Sequence, residues 1–429
     1  MIRRAALCLL ALCSPIWAEG FDTLTGHGGP IHDVAISQDG RYALTASFDN
    51  SVGLWDISSG TVQWPDGHEA AVKTVTMTGP GQAASGGDDF SIRLWHLDLA
   101  TERGSLQGHK GQIADLSASP DGQWLASASW DGTIGLWGAT ESQFLKGHSS
   151  AVNAVVFSTN SQQLFSASAD GTIRVWDVAT ASKKRILIRH GFGVNSLLLH
   201  PNGDWLAYGA VDGGTRVIDL TTDQIIADLT LDRRPILDMA ANRDFSQIAV
   251  GDGEGHIMIV NTADWRIAHD FRAAKRGPIW ALAYDATGQR LLTGGIEDSA
   301  YFWPIGAKDA PLMPATERDF LKSPDSMSNG ERQFARKCSI CHSLTDDGIR
   351  RAGPSLAGLF GRAAGSYPGY IYSDTVANSD ITWSAETIDA LFDLGPDHYI
   401  PGTKMPMQRI TSAQDRADLI EYLRDNTKG

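Results

Sequence analysis

Between residues 20 and 304 the chain alternates short apolar runs with polar turns, and the alternation itself repeats. Gly26-His27, Gly67-His68, Gly108-His109 and Gly147-His148 recur roughly every 40 residues, and Arg189-His190 continues the series. Each is followed by an apolar run, a turn and a closing step. These steps are Trp55-Asp56, Trp95-His96, Trp137-Gly138, Trp176-Asp177, Ile218-Asp219, Val260-Asn261 and Trp303-Pro304. An acid stands six residues before most of them: Asp49, Asp89, Asp131, Asp170, Asp212 and Glu254, with Glu297 or Asp298 in the last unit. That makes seven units. Within one, Ser166 to Trp176 reads as a small-residue strand, an Asp170-Gly171 turn and an alternating strand. Asp-Gly between two such runs signals a hairpin.

These units resemble the WD-repeat family over about residues 20 to 304. The resemblance implies an all-β, seven-bladed propeller with four strands per blade. It also implies that the Gly-His histidine, the turn aspartate and the Trp of a blade share a buried hydrogen-bond network. His27, His68, His109 and His148 are then structural residues and not metal ligands. The last unit ends at Trp303, in what would be a third strand. Glu19 to Thr25 precedes the first Gly-His and has no blade of its own, so it is expected to supply the outer strand of the seventh blade. That pairing removes an exposed edge and closes the ring.

Composition fits many short strands joined by tight turns, with 45 Gly and 13 Trp among 429 residues. A net charge of −14 counts against a nucleic-acid partner, because phosphate binding needs an excess of Lys and Arg. No apolar run is long enough for an ordinary spanning helix. Residues 1–18 combine Arg3-Arg4, an apolar stretch to Cys13 and a small residue, Ala18, at the end, the pattern of a secretory signal. A retained membrane anchor is the alternative. Residues 19–304 form the propeller. Pro304, Pro311, Pro314 and Pro324 then mark 305–325 as a semi-stiff linker.

Residues 326–429 carry the chemistry. Once Cys8 and Cys13 leave with the signal, Cys338 and Cys341 remain. They stand in Cys338-Ser339-Ile340-Cys341-His342, the C-x-x-C-H pattern for covalent attachment of a c-type haem. Thiols one helical turn apart can add to two vinyl groups of one porphyrin edge, and the adjacent histidine is then aimed at the iron. A redox dithiol or half a zinc site would use the same cysteines. The exported context, the following histidine and the lack of a second cysteine pair favour haem. Met405 and Met407 offer a thioether as the second axial ligand.

Here the chain resembles a class I cytochrome c of the mitochondrial and related bacterial kind, over about Gly330 to Leu423. Gly353-Pro354, Gly358-Leu359-Phe360-Gly361-Arg362, Pro368-Gly369-Tyr370, Tyr372, Trp383 and Tyr399 to Met407 carry the resemblance. It implies a small all-α domain with one covalent haem c. Cys338 and Cys341 make the thioethers, and His342 and Met405 are the axial ligands. The Pro354 carbonyl orients the His342 ring. Arg362, Tyr372 and Trp383 lie near the haem propionates, and Thr403 lines the methionine side. Two helices, about Ser328 to Lys337 and Ser412 to Asp425, are expected to cross at Gly330. The first turns Gly330 and Phe334 inward, and the second Leu419, Tyr422 and Leu423. Two departures stand out. The segment from Asp325 carries a net charge of −3 and keeps only Lys404 of the family's basic cluster near the methionine loop. Leu391 replaces an aromatic beside the sulfur ligand.

The expected function is that of an exported, periplasmic electron carrier without catalytic residues. Its propeller docks onto redox partner proteins, and membrane association requires retention of the signal. The alternatives are a propeller-based periplasmic oxidoreductase with the cytochrome as relay, or a haem-dependent assembly or sensing scaffold. The basic stretch Lys183-Lys184-Arg185, read as lying between blades, is expected to be a solvated loop.

Overall fold

The computed structural model describes residues 22–65, 67–231, 235–274, 277–305, 326–348, 351–405 and 408–428. The expected signal, all of the linker except Ile305, and Met407 lie outside the described residues. Seven four-stranded antiparallel sheets form the propeller. The first is made of Ile31–Ile36, Tyr42–Ser47, Val52–Asp56 and Thr61–Gln63. The seventh joins Ile279–Tyr284, Arg290–Gly295 and Ser299–Pro304 to the strand Asp22–Thr25. Asp22 to Thr25 pair with Phe302 to Ser299, so the start of the propeller hydrogen-bonds to its end. The expected closure is therefore present.

Each of the first four blades holds a chain of buried hydrogen bonds. In blade 1, Trp55 Nε1 donates to Thr45 Oγ1 at 2.9 Å, and Thr45 Oγ1 lies 2.6 Å from His27 Nε2. His27 Nδ1 lies 3.0 Å from Asp49 Oδ2, which also accepts from the Gly28 amide. The pattern recurs with Ser85, Ser127 and Ser166 between His68 and Trp95, His109 and Trp137, and His148 and Trp176. It explains why Gly-His and Trp must recur together. Both ring nitrogens of each histidine are engaged, so none has a lone pair left for a metal. Burial lowers the pKa of His109 and His148, which keeps these rings neutral.

Two sequence assignments change. In blade 6 the buried acid is Asp252, not Glu254, and its Oδ1 accepts from the Glu254 and His256 amides. A short polar side chain that folds back on its own turn is better placed for this than one at the exposed apex. Lys183 to Arg185 lie in Ser182–Arg189, the fourth strand of blade 4, and Arg185 pairs with Asp223.

Neighbouring blades are latched through their innermost strands. Asp33, Asp115 and Asp238 each follow a shift in strand register. Their carboxylates accept from Val75, Val155 and Leu282 amides of the next blade at 2.8, 2.8 and 2.7 Å. A bulge of this kind re-aims a side chain. Burial pushes Asp33 up to about 6 and Asp115 up to about 7.

The C-terminal domain consists of α1 (Asn329–Lys337), α2 (Asp374–Ala377), α3 (Ala385–Leu394), α4 (Pro396–Tyr399) and α5 (Ala413–Asn426). Ser328 caps α1 by accepting from the Glu331 amide, and Ser412 caps α5 by accepting from Asp415. Phe334, Ile388, Leu391, Phe392, Leu419 and Leu423 form its core, with Tyr422 packed against them. The two long helices meet at Gly330, where a Cβ would run into the Asp418 carbonyl and lie 2.8 Å from Tyr422 Cβ. The expected crossing is therefore in place.

Burial alone would raise the pKa of Asp89, but bonds from His68, the Glu69 amide and Ser91 outweigh it and pull the carboxyl down to about 2. A depressed acid stabilises the fold above its unfolded value, and that contribution fades as pH falls from about 4 to about 2. Asp89→Asn should cost about 2 kcal/mol at neutral pH and flatten the loss of stability on the acid side. Thermal unfolding of the full chain at stepped pH measures both.

Candidate haem-binding site

The end of α1 places both cysteines. The Cys338 amide donates to Phe334 O at 2.8 Å, and the Cys341 and His342 amides both donate back to Cys338 O, at 3.0 and 2.9 Å. This helical turn holds the thiols about one turn apart and brings His342 next to them. Both thiols are free, and burial pushes each up to about 12, so they are protonated at neutral pH.

His342 is fixed by the loop that follows. Gly353 donates its amide to Cys341 O at 2.8 Å, which lays residues 353 and 354 against the ring. His342 Nδ1 donates to Pro354 O at 2.7 Å. A Cβ on Gly353 would run into the imidazole, reaching Nδ1 and Nε2 at 2.7 Å. Burial, aided by the Arg362 and Arg351 charges, lowers the histidine's pKa against the pull of the Pro354 bond. The ring is therefore neutral, with Nδ1–H committed and the Nε2 lone pair available.

All nine residues singled out from the sequence line one or other of two adjoining cavities of about 570 and 100 Å³. His342, Pro354, Tyr372, Trp383 and Met405 line both. Cys341 and Thr403 line the larger, and Cys338 and Arg362 the smaller. Thr403 Oγ1 accepts from the Met405 amide at 3.2 Å and so holds the methionine loop. Arg362 donates to the carbonyls of Ser355 and Ala357 and lies over the Tyr367 ring, which fixes a positive charge beside the cavity. Leu391 is buried and lines both cavities, so the aliphatic side chain read from the sequence as replacing an aromatic is part of the cavity wall.

Sequence reasoning assigned no role to two further residues. Tyr370 donates to Ala352 O at 2.6 Å and packs edge-on against Tyr372. Its place in Pro368-Gly369-Tyr370 was the available signal. Ser373 lines the larger cavity with its Oγ buried and, among the described residues, without a hydrogen-bond partner. A lone serine leaves no mark in a sequence pattern.

The donor set fits an iron porphyrin. There are two thiols, a neutral imidazole with a free nitrogen, a thioether, apolar walls, and an orphan hydroxyl and a fixed cation suited to acidic side chains. No group of three or more His, Cys, Asp or Glu among the described residues could hold a bare metal ion.

The comparisons agree with this geometry. Residues 327–427 match the cytochrome c family model. Residues 21–56, 61–96, 100–138, 139–177 and 181–219 match the WD domain, G-beta repeat. Cytochrome c of Sesamum indicum is 42% identical over 106 residues, covering 24% of this chain and 93% of that protein. Cytochrome c of Gibberella zeae is 41% identical over 102 residues, 24% of this chain and 95% of that one. Cytochrome c of Theileria parva is 39% identical over 113 residues, 26% and 96%. The last matched stretch ends at residue 219, yet the strands of blades 6 and 7 that follow it are fully formed. Blade 6 is the one whose Gly-His and Trp signals have gone.

Gly353→Ala should displace the His342 ring. The expected result is a lower yield of covalently loaded protein and partial loss of the low-spin visible spectrum, with blade unfolding unchanged.

Proposed function

Because the chain belongs to the cytochrome c family through residues 327–427, we propose that it is an exported, periplasmic electron carrier. One haem c is joined to Cys338 and Cys341 and ligated by His342 and Met405, and the propeller docks onto redox partner proteins. The observation that carries the reading is a neutral His342 with Nδ1 held by Pro354 and Nε2 left as a donor, in a cavity shared with Met405. A haem held by these residues would supply one-electron redox chemistry, and histidine–methionine ligation would favour its ferrous form.

The chain's own residues do the rest. Pro354 and Gly353 fix the imidazole's orientation. Thr403 holds the loop that presents Met405. Phe392, Leu391 and Ile388 supply a low-dielectric wall. A haem held by both His342 and Met405 would leave no open site for a substrate, which favours electron transfer over catalysis. The scattered propeller histidines do not converge either. His190 pairs with Asp212, and His200 stacks on Trp205.

Residues 1–18, with the pattern of a secretory signal, support export. No helix among the described residues is long and apolar enough to cross a membrane.

The test is the optical spectrum of the reduced, haem-loaded chain with and without carbon monoxide. It should not change on adding the gas, whereas that of Met405→Ala should. Ready binding by the unsubstituted chain would overturn methionine ligation and move sensing or catalysis at the haem ahead.

A further inference from the structure

The larger cavity of the haem site is not walled by the C-terminal domain alone. Phe48, Asn50, Glu69 and Asp88 of the propeller line it together with Cys341, His342 and Met405. Phe48 and Asn50 belong to the turn after Tyr42–Ser47 in blade 1, and Asp88 to the corresponding turn after Gln82–Gly87 in blade 2. Glu69 lies in the connection that enters blade 2. All four therefore sit at one face of the ring.

Among the described residues, one side-chain hydrogen bond ties this face to the histidine loop. Asn50 Nδ2 donates to Ala352 O at 3.5 Å, and Tyr370 donates to the same carbonyl. Ala352 precedes the glycine against which the His342 ring lies. Charges of both signs face each other across the cavity and the gap beside it: Glu69 and Asp88, the latter next to Lys73, stand on the propeller side, and Lys337, Lys404, Arg351, Asp346 and Asp347 on the other. Asp88 keeps one carboxylate oxygen buried and, among the described residues, without a hydrogen-bond partner. The contact is nonetheless open. A second gap of about 1010 Å³, lined by Trp64 and Glu69 on one side and Arg351 and Tyr370 on the other, separates the two domains beside it. Every apolar core cluster of the described residues belongs wholly to one domain. The domains can thus part without either losing its core.

We propose that the loops of blades 1 and 2 are a docking surface for the haem crevice of the chain's own C-terminal domain, and that this docking gates electron exchange with outside partners. The inference rests on the haem reading above. In the docked form the propeller occupies the approach to the cavity that an external redox protein needs. In the parted form the approach is free. Docking that relies on facing surface charges weakens with salt, since exposed charges are screened within about 10 Å at moderate ionic strength.

The experiment uses the full haem-loaded chain and the variant Asn50→Asp/Glu69→Lys. Asn50 has a left-handed φ of 68°, which Asp tolerates, and Glu69 is exposed, so neither change threatens the blade. The first places a carboxylate against the Ala352 carbonyl, and the second a cation opposite Lys337 and Lys404. Small-angle scattering should give a larger radius of gyration for the variant. Reduction by hexaammineruthenium(II), in which one electron passes from Ru(II) to Fe(III), should be roughly threefold to tenfold faster than in the unsubstituted chain at low salt, the scale set by reversed surface charges. That difference should shrink at high salt. Equal radii and equal rates in both chains would overturn the proposal. Scattering needs no haem, so a chain that docks but lacks low-spin haem would count against the haem reading alone.

Discussion

The hydrogen bond from His342 Nδ1 to the Pro354 carbonyl is the interaction on which the site depends. It decides which nitrogen carries the proton, and so which one can donate to a metal. It exists because Gly353 has no Cβ and lets the 353–354 backbone lie against the ring. The Gly353 amide, bonded to Cys341 O, anchors that backbone to the turn that carries the two cysteines. One carbonyl, one missing side chain and one helical turn thus arrange thiols, imidazole and cavity together.

The propeller uses buried histidine in the opposite way. In blades 1 to 4 the Nδ1 side faces an aspartate and the Nε2 side faces a Ser or Thr hydroxyl, so the ring is a strut between strands. Among the described residues, His342 has its Nδ1 alone so engaged. The same residue type, buried in both places, is a strut where both nitrogens have partners and is free to serve as a ligand where one is left. In blade 5 the strut is remade, with Asp212 on Nε2 and Tyr208 on Nδ1, and the blade keeps its four strands.

Much of this was legible in the sequence, because it rests on periodic or tightly spaced residues. The Gly-His and Trp recurrences marked the blades, the orphan segment before Gly26 marked the closing strand, and Cys338-x-x-Cys341-His342 marked the cavity. What escaped has a common cause. Thr45, Ser85, Ser127 and Ser166, which link histidine to tryptophan, are small residues in strands full of small residues. Ser373 is one serine among many. Asp252 displaced Glu254 because burial, not spacing, decides which acid serves a turn. The contact between Asn50 and Ala352 joins positions 302 residues apart and leaves no local pattern.

The most direct test of the account is the proton NMR spectrum of the reduced, haem-loaded full chain with its methionine methyl groups isotopically labelled. One methyl resonance, assigned to Met405 by its loss in Met405→Ala and its persistence in Met407→Leu, should be displaced far upfield by the porphyrin ring current. A spectrum with no displaced methyl, or one that vanishes only with Met407→Leu, would contradict the ligand assignment on which the proposed carrier function stands.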